Sequence, residues 1–597
     1  MERTSRKLKT KAAVRRRDVK QVQWWILAGL KKGARRLYIL LQKWCALTAC
    51  FLVISVLPSH VLAVSNLQTQ FASDLAPILS DDKRCRVPDT SRSKSQTDWL
   101  QSLYGNHFSA PLWTDQKRYD ALLAALTDLK WDGLDPEMYA ILQLEQWRII
   151  GNTDGKTLAC RDLLASTAYL AALYHLQYGF LDRSVIAPIW RLVEEEDNGI
   201  DAVSLENLGI VARQGLQNIA TAIDHARPES SAYRQLRSAY KIWHQQHRDV
   251  NWPYVPHGPL LRPGMKDDRV SVLHQRLIQI PNTDIAPDNR PSHPDDHYDA
   301  ALVEKVKDFQ AQHRLKVDGI VGPETLDALN LSRNFREEQF KINLERMRWL
   351  EREISPTLLL VDIAGAQVTY TRDGQIIWQG KVQVGTARRQ TPALRSSVSY
   401  LTFSPNWTVP PTIYRQDKLP EIRKNIAYLA ANRLRVLDQD GRELNPATID
   451  WQNPGSIKLR QDPGPNNALG LVVIRFPNPF FVYLHDTPSQ SLFASHRRTY
   501  SSGCVRVEGA RNLADELFAG ASQQTHNAII DAIERRQTRN IPLPARVPIL
   551  MDYWTAAADE DGRVEFRPDV YQRDVELATA LKAQQRRINT FLTELPP

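Results

Sequence analysis

The chain has 597 residues, 43% of them hydrophobic, and a formal net charge of +10. This length exceeds what one hydrophobic core usually supports, so several domains are expected. Residues 1–43 hold fourteen Lys or Arg and two acidic residues, a balance of +12, so the rest of the chain carries −2. The body is therefore near neutral, which argues against a basic surface that binds nucleic acid.

The basic leader is followed by an uncharged apolar run, residues 44–57. Its length is that of a signal-peptide hydrophobic region and is short for a transmembrane helix. Val61-Leu62-Ala63 then supplies small residues at the cleavage positions. We predict that residues 1–64 form a signal peptide that exports the chain to the periplasm. If cleavage does not occur, the same segment becomes a signal anchor in the inner membrane.

The chain contains five cysteines, and two of them, Cys45 and Cys50, belong to the leader. Cys85 and Cys160 form either a disulfide or two buried thiols, and the sequence leaves both open. Cys504 is then an odd thiol, which in an oxidising compartment is either a hazard or a reactive group. The sequence has no CxxC spacing and no His/Cys cluster, so we expect neither a metal nor a cofactor.

The first exported region, residues 65–255, is expected to be mostly helical. Alanine- and leucine-rich stretches recur in it at helical spacing, as in residues 119–126 and 165–173. Such stripes are typical of a helical core. We therefore predict a helical scaffold domain without chemistry of its own.

Residues 256–332 form a second, smaller unit. Apolar residues recur at helical spacing on both sides of a polar, Pro-rich insert at 281–296. Asp318-Gly319 then predicts a turn, and Gly322-Pro323 predicts the start of another helix with Pro in its first turn. The pattern indicates a small three-helix module.

A third unit begins after an amphipathic linking helix at 333–356. From Thr357 the apolar periodicity is that of strands and hairpins, which predicts a mainly-β domain over 357–555. Residues 556–597 are predicted to be a C-terminal helical tail. The predicted fold class is therefore multi-domain α+β.

An insertion at about 412–465 interrupts the strand pattern of the β-rich domain. It contains a predicted helix at 424–434 and loops rich in Pro, Gly and Asn. An insertion of this size beside a catalytic strand is a candidate lid. The alternative is a subdomain that only thickens the fold.

The most informative segment runs from His485 to Arg506. His485 ends an apolar run, residues 480–484, that has strand character, and Cys504 directly follows a Ser-Ser-Gly turn. A nearby imidazole can take the thiol proton, and small residues let backbone N–H groups face an oxyanion. A lone cysteine is more often a buried apolar residue. The Ser, Gly and Arg residues around Cys504 are, however, unusual in a hydrophobic core, which favours a role for Cys504 as a nucleophile.

This segment resembles the signature of the L,D-transpeptidases with a YkuD-type catalytic domain, a His followed after a loop by S-x-G-C-x-R. Ser502 stands where many members carry histidine, and Glu508 where shorter members often have Asn. The helical region resembles the scaffold domain of the long members. The D-G-x-x-G-P-x-T segment at 318–325 resembles a peptidoglycan-binding module, which either binds glycan or only positions the catalytic domain.

The resemblance implies roles for individual residues. Cys504 would attack a peptidoglycan stem peptide and His485 would accept its proton, with an oxyanion hole from backbone N–H groups at Ser502, Gly503 and Cys504. Arg506 would orient the loop or a substrate carboxylate, or form a salt bridge that braces the turn. Candidate residues of the substrate groove, which could equally be core or turn residues, are Tyr483, Asn467 and Ser501.

The implied function is a peptidoglycan L,D-transpeptidase that forms 3→3 cross-links between diaminopimelate residues through a cysteine thioester. Carbapenems would then acylate the same cysteine. The alternatives are an L,D-carboxypeptidase, an enzyme that anchors lipoproteins, and a non-catalytic wall-binding scaffold. The partners would be stem peptides and glycan strands, with penicillin-binding proteins or glycosyltransferases as further candidates. A papain-like peptidase would need Cys before His, the reverse of the order here.

Overall fold

The computed structural model describes residues 70–71, 73–75, 85–88, 96–105, 110–149, 154–192, 207–248, 252–278, 296–351 and 353–593. The predicted leader, with Cys45 and Cys50, and nearly all of the insert at 281–296 lie outside these residues. Within the described part of the chain, no helix is both long and apolar enough to cross a membrane. The chain divides into two compact units, and all elements discussed below, apart from the first residues of one scaffold helix, belong to the unit of residues 82–106, 112–153 and 160–597.

The N-terminal region is helical, as predicted. Its helices are α1 (Gln96–Tyr104), α2 (Gln116–Asp128), α3 (Ile141–Ile149), α4 (Gly155–Tyr178), α5 (Arg183–Ile186), α6 (Leu208–Gly215), α7 (Ile219–Ala226) and α8 (Ser231–His247). A disulfide joins Cys85 to Cys160, which settles the alternative left open by the sequence. The buried Asp162 accepts hydrogen bonds from Tyr104 Oη and from the Trp113 backbone N–H at 2.8 Å, so its charge does not lack partners.

One short strand of the scaffold belongs to a sheet elsewhere in the chain. Strand β1 (Trp190–Arg191) follows α5 and pairs in parallel with the later strand Leu394–Phe403, with Trp190 opposite Leu394. The scaffold therefore extends the sheet of the β-rich domain. The contact places residues 183–191 beside that domain.

The small module consists of α9 (Arg269–Ile278), α10 (Ala300–Gln312) and α11 (Pro323–Leu329) around one apolar core. The Asp318-Gly319 turn is held by Gln310, whose Oε1 accepts from the backbone N–H groups of Asp318 at 3.0 Å and Gly319 at 2.9 Å. The predicted three-helix arrangement and its turn are both present. Pro323 occupies the first turn of α11, as predicted.

The linking helix, α12 (Arg333–Glu351), is buried along most of its length rather than amphipathic. Its Glu345 and Arg348 form an ion pair inside the protein, and Glu345 also accepts from the Leu181 backbone N–H at 2.7 Å. Asn343 donates to Thr555 Oγ1 at 2.8 Å. The charged residues of this helix suggest a side that faces solvent. In the structure, Glu345 and Arg348 instead pair with each other in the interface between the scaffold and the β-rich domain.

The β-rich domain contains one large sheet in the order β1-β5-β13-β2-β3-β4-β12-β10-β9, with β11 beside β4. Strand β9 also pairs with β5, so the sheet closes on itself around an apolar core. Helices α16 (Ala510–Leu517) and α17 (Gln523–Glu534) accompany it. Its strands are β2 (Leu358–Asp362), β3 (Gln367–Arg372), β4 (Gln375–Gly385), β5 (Leu394–Phe403), β9 (Val472–Arg475), β10 (Leu484–His485), β11 (Thr499–Ser501), β12 (Val505–Val507) and β13 (Arg539–Asp552).

The insertion has a small core of its own, formed around a three-stranded sheet in the order β6-β8-β7. The predicted helix at 424–434 is instead two short helices, because Asn425 is extended (φ −155°) and its side chain caps the next turn by accepting from the Ala427 N–H at 2.9 Å. The elements of the insertion are β6 (Trp407–Thr408), α13 (Pro411–Ile413), a π-helical turn (Tyr414–Lys418), α14 (Leu419–Lys424), α15 (Ala427–Ala431), β7 (Leu434–Leu437) and β8 (Lys458–Gln461).

The C-terminal segment is not wholly helical, which corrects the prediction for 556–597. It begins with a hairpin, β14 (Ala556–Ala558) and β15 (Val564–Phe566), and continues as helix α18 (Arg573–Thr593). Gly562, with φ of +77°, makes the hairpin turn possible, and its N–H donates to Asp559 O at 3.1 Å. Strand β14 consists of three alanines, so its pairing overrides the helix propensity of these residues.

Candidate active site

Two short parallel strands bring the predicted nucleophile and base together. In the β10–β12 pair, Leu484 lies opposite Val505 and His485 lies opposite Arg506. The Val505 N–H donates to Tyr483 O at 3.1 Å, so the register extends back to Tyr483 and Cys504. Because alternate side chains of a strand share a face, Tyr483, Cys504, His485 and Arg506 project from the same side of the sheet.

His485 is buried at the end of its strand and is 5% exposed. Its Nδ1 lies 2.5 Å from the backbone O of the adjacent Asp486, an acceptor, so Nδ1 carries the proton and Nε2 carries the free lone pair. Burial lowers the imidazole pKa to about 3, with the nearby positive charge of Arg506 acting in the same direction. The ring is therefore neutral and presents a base.

Cys504 lies on the strand side of the turn, partly exposed to solvent. Burial among protein atoms raises the pKa of its thiol, although hydrogen bonds from Tyr483 and the charges of Arg475 and Arg506 oppose the increase. The Sγ lies 4.0 Å from Phe481 O. The thiol thus rests protonated, and it needs a base in order to react at neutral pH.

The turn before Cys504 depends on Gly503, which has φ of +111°. Thr391 Oγ1 donates to Gly503 O at 3.0 Å, and the Gly503 N–H donates to Ser501 Oγ at 3.1 Å. Ser501 Oγ also donates to the Cys504 carbonyl. Ser501 therefore braces the turn and is 3% exposed, which favours the turn role left open by the sequence over a place in the groove. The Gly503 amide is likewise occupied in this state.

The structure gives specific hydrogen-bond partners to two other predicted residues, Arg506 and Asn467. Arg506 Nη1 donates to the neutral Gln383 Oε1 at 3.1 Å, so its described partner is an amide rather than the carboxylate of a bracing salt bridge. Asn467 is buried, and its Nδ2 donates to Pro405 O and Asp462 O, both at 3.0 Å. These contacts do not support a place for Asn467 in the substrate groove. It closes the loop before β9.

Tyr483 has a position consistent with its predicted place in the groove. Its ring lies 5.6 Å from the His485 ring, and the guanidinium of Arg475 lies 4.5 Å from the Tyr483 centroid. The neighbouring Phe481 is 87% exposed and has φ of +56°. The predicted strand at 480–484 is reduced to its last residue, because Phe480 and Phe481 belong to a loop beside the thiol.

Arg389, which was not among the residues predicted from the sequence, connects the insertion to the nucleophile turn. Its guanidinium contacts both oxygens of Asp417 in the π-helical turn, at 2.6 and 2.7 Å, and donates to Ser502 Oγ at 2.9 Å. These hydrogen bonds lower the Asp417 pKa, so the carboxylate stays charged. The only sequence signal was the polar run after β4, in which Arg389 is one of two adjacent arginines.

Three family models match the chain. Residues 356–523 match the L,D-transpeptidase catalytic domain (YkuD), residues 98–239 a scaffold domain, and residues 266–329 a domain described as "Putative peptidoglycan binding domain". The chain thus contains a YkuD-type L,D-transpeptidase catalytic domain together with a scaffold domain and a peptidoglycan-binding domain. The resemblance and the multi-domain α+β fold predicted from the sequence are confirmed.

A curated protein from Haemophilus influenzae (strain ATCC 51907 / DSM 11121 / KW20 / Rd), named "Putative L,D-transpeptidase", is 33% identical over 227 residues, which are 37% of this chain and 45% of that protein. The match therefore spans less than half of the relative. A solved L,D-transpeptidase from Mycobacterium smegmatis is 14% identical with a TM-score of 0.16, and covers 33% of this chain and 58% of its own. A second solved L,D-transpeptidase, residues 123–326 of the protein from Xylanimonas cellulosilytica DSM 15894, is 15% identical with a TM-score of 0.15. The match covers 50% of this chain and 99% of that one.

Proposed function

We propose that this protein is a peptidoglycan L,D-transpeptidase that acts in the periplasm through a thioester on Cys504. The observation that carries the proposal is the arrangement of Cys504 and His485 on one face of two paired strands, with the free lone pair of the imidazole on Nε2. A protonated thiol beside a neutral, oriented imidazole is the resting state of a nucleophile with a general base.

In the first half-reaction, the Cys504 sulfur bonds to the carbonyl carbon of the peptide bond between diaminopimelate and the terminal D-Ala of a tetrapeptide stem. His485 Nε2 takes the thiol proton as this bond forms. The C–N bond then breaks, and the imidazolium returns the proton to the departing D-Ala amine. The products are free D-Ala and a thioester.

The oxyanion of the tetrahedral intermediate needs N–H donors close to the sulfur. The amide of Gly503 is bonded to Ser501 Oγ, so we assign this role to the backbone N–H groups of Ser502 and Cys504. The electrostatic field of Arg506 and Arg475 supports the same negative charge, since both arginines stabilise an anion on Cys504.

In the second half-reaction, the side-chain amine of another stem's diaminopimelate attacks the thioester carbonyl. A C–N bond forms, the C–S bond breaks, and the proton lost by the amine passes through His485 to the thiol. The product is a 3→3 cross-link. The Arg389–Asp417 contact favours this outcome over hydrolysis, because it holds the insertion close to Ser502, where a lid would limit the access of water.

The test is to incubate the full chain with a disaccharide-tetrapeptide and to identify products by mass spectrometry, with Cys504→Ala as the control. A dimer that has lost one D-Ala, absent from the control, is the expected product. Tripeptide alone would identify an L,D-carboxypeptidase. A lack of any Cys504-dependent product, together with no covalent adduct from a carbapenem, would refute the proposal and leave a wall-binding scaffold.

A further inference from the structure

A large groove lies beside the catalytic loop, outside the residues so far assigned a function. We call it the arginine groove and define it by Arg183, Trp190, Trp349, Phe480, Tyr553 and Arg573. Its volume is about 730 Å³, within the range of sites that bind organic ligands. The scaffold, the catalytic domain and the start of α18 each contribute a wall.

The charges in the groove are not fully paired among the described residues. Arg346 pairs with Asp574 at 2.6 Å, and Arg183 uses one nitrogen for Asp552 at 2.5 Å. Arg183 Nε and Nη1 have no hydrogen-bond partner there, although its guanidinium lies 5.6 Å from the Trp349 ring centroid. Both atoms are buried, so they do not face a ligand themselves, but they leave the positive charge of Arg183 only partly compensated beside the groove.

The guanidinium of Arg573 donates only to neutral acceptors among the described residues, although its backbone N–H donates to Asp569 Oδ1 at 3.0 Å. The guanidinium donates to Gln390 Oε1 at 3.3 Å and to Thr391 O at 3.2 Å, and it lies 5.1 Å from the ring centroids of Tyr553 and Tyr571. The carboxylate of Asp552 and that of Glu576 at the rim are the acidic groups in the lining. One guanidinium without a carboxylate contact is therefore available to a ligand.

The groove is connected to the nucleophile at two points. Thr391, which accepts from Arg573, donates through its hydroxyl to Gly503 O at 3.0 Å. Phe480 forms the other end and packs edge-to-face on Trp190, at 6.3 Å between centroids, while the next residue carries the carbonyl that faces the thiol. A ligand in the groove would thus lie next to the catalytic turn.

The loop after β4 separates this groove from the insertion. Arg389 contacts Asp417 and Ser502 on the side of the insertion, whereas Gln390 and Thr391 contact Arg573 on the side of the groove. The donor stem stays attached to Cys504 as the thioester while the acceptor stem approaches, so the two peptides need separate approaches to the nucleophile. The insertion covers one approach, which leaves the groove for the other.

On the basis of the proposed function, we infer that the arginine groove binds the acceptor stem peptide, with Arg573 recognising one of its carboxylates. Aromatic and aliphatic walls suit the apolar parts of a peptide, and the Arg573 guanidinium suits one of its carboxylates. Arg573 would then position the acceptor and take no part in bond formation. This gives the scaffold and α18 a direct part in choosing the substrate.

The test compares two acceptor peptides, one with free carboxylates and one with the carboxylates amidated, both with a free side-chain amine. In the native chain, amidation should lower kcat/KM for the acceptor by about tenfold, a value typical of one charged hydrogen bond. In Arg573→Met, the two acceptors should react at equal rates, whatever the absolute rate. The ratio of the two acceptor rates is compared between the native chain and Arg573→Met. A general loss of activity lowers both rates equally, so a change in the ratio reports only the contact between Arg573 and the acceptor carboxylate.

Arg372→Met is the matched control. Arg372 also donates to a backbone carbonyl, that of Glu516, and lies 5.3 Å from the Tyr370 ring centroid, but it is not part of the groove. This variant should keep the tenfold preference. A preference that survives in Arg573→Met, or that appears for the donor peptide instead, would overturn the inference. Release of D-Ala from the donor is measured separately, because it does not depend on the acceptor. If D-Ala release depends on Cys504 while the acceptor preference does not depend on Arg573, the proposed function holds and only the groove assignment fails.

Discussion

Replacing Gly503 with alanine tests whether the backbone of the turn positions the thiol. Gly503 has φ of +111°, which L-residues rarely adopt. An added Cβ would find room, because the nearest atom, Gln390 O, would be 3.5 Å away. The penalty is therefore conformational rather than steric, and for a residue held in such a region it is about 1–3 kcal/mol.

The strain in Gly503→Ala should be relieved at the nucleophile. Thr391 holds the carbonyl of residue 503 and the strand pairing holds Val505, so Cys504 lies between two fixed points. A rotation of this turn displaces the sulfur from His485. Since a displacement of about 1 Å can lower a rate about 100-fold, we expect D-Ala release to fall by at least that factor.

Gly374→Ala is the matched control for this experiment. Gly374 lies in the turn between β3 and β4, has φ of +78°, and has no atom within 4 Å of the added Cβ. The two variants should lose similar amounts of unfolding free energy, about 1–3 kcal/mol, in a denaturant titration. Only Gly503→Ala should lose activity. Equal rates of D-Ala release in both variants would refute the reasoning.

Three further outcomes are expected. The rate of Cys504 alkylation should keep rising above pH 9, because burial raises the thiol pKa. The rate should show no step near pH 6.5, since His485 has a pKa of about 3. A rate that reaches its plateau below about pH 7 would indicate a thiolate–imidazolium ion pair instead. Reduction of Cys85–Cys160 should lower the unfolding free energy by about 4–5 kcal/mol for its separation of 75 residues, and an unchanged denaturation curve would contradict this. Asp417→Asn should speed labelling by a bulky thiol reagent by up to about fivefold, the upper range for a partly exposed ion pair, and an unchanged labelling rate would exclude a closing role for the insertion.

The positions of Cys504 and His485 could be predicted because their chemistry depends on local sequence. A histidine at a strand end and a cysteine after small residues form a pattern in which each residue type has a chemical reason. The existence of the linking helix and the three-helix module could be predicted for a similar reason, since apolar spacing and Gly-Pro boundaries reflect local geometry, whereas the burial of the charged side of the linking helix could not.

The contacts of Arg389 and Arg573 could not be predicted, because each depends on segments far apart in the chain. Arg389 meets Asp417 across 28 residues, and Arg573 meets Thr391 across 182. Nothing in the sequence near either arginine specifies its partner. The sequence could not decide between groove and turn roles for Ser501 and Asn467 for the same reason, since a small polar residue near a motif can equally serve the turn.

On the proposed periplasmic location, the resting chemistry of the pair would let an odd thiol persist in an oxidising compartment. The thiolate is the form that oxidants and electrophiles attack, and burial raises the Cys504 pKa while it keeps His485 neutral. Little thiolate therefore forms without substrate. In the proposed mechanism, a peptide carbonyl that occupies the site would take the negative charge on its oxygen, which backbone N–H groups stabilise, and Nε2 would take the proton in the same step. Reactivity is then conditional on the substrate, and the burial that protects the cysteine also supplies the low-dielectric setting in which these donors are most effective.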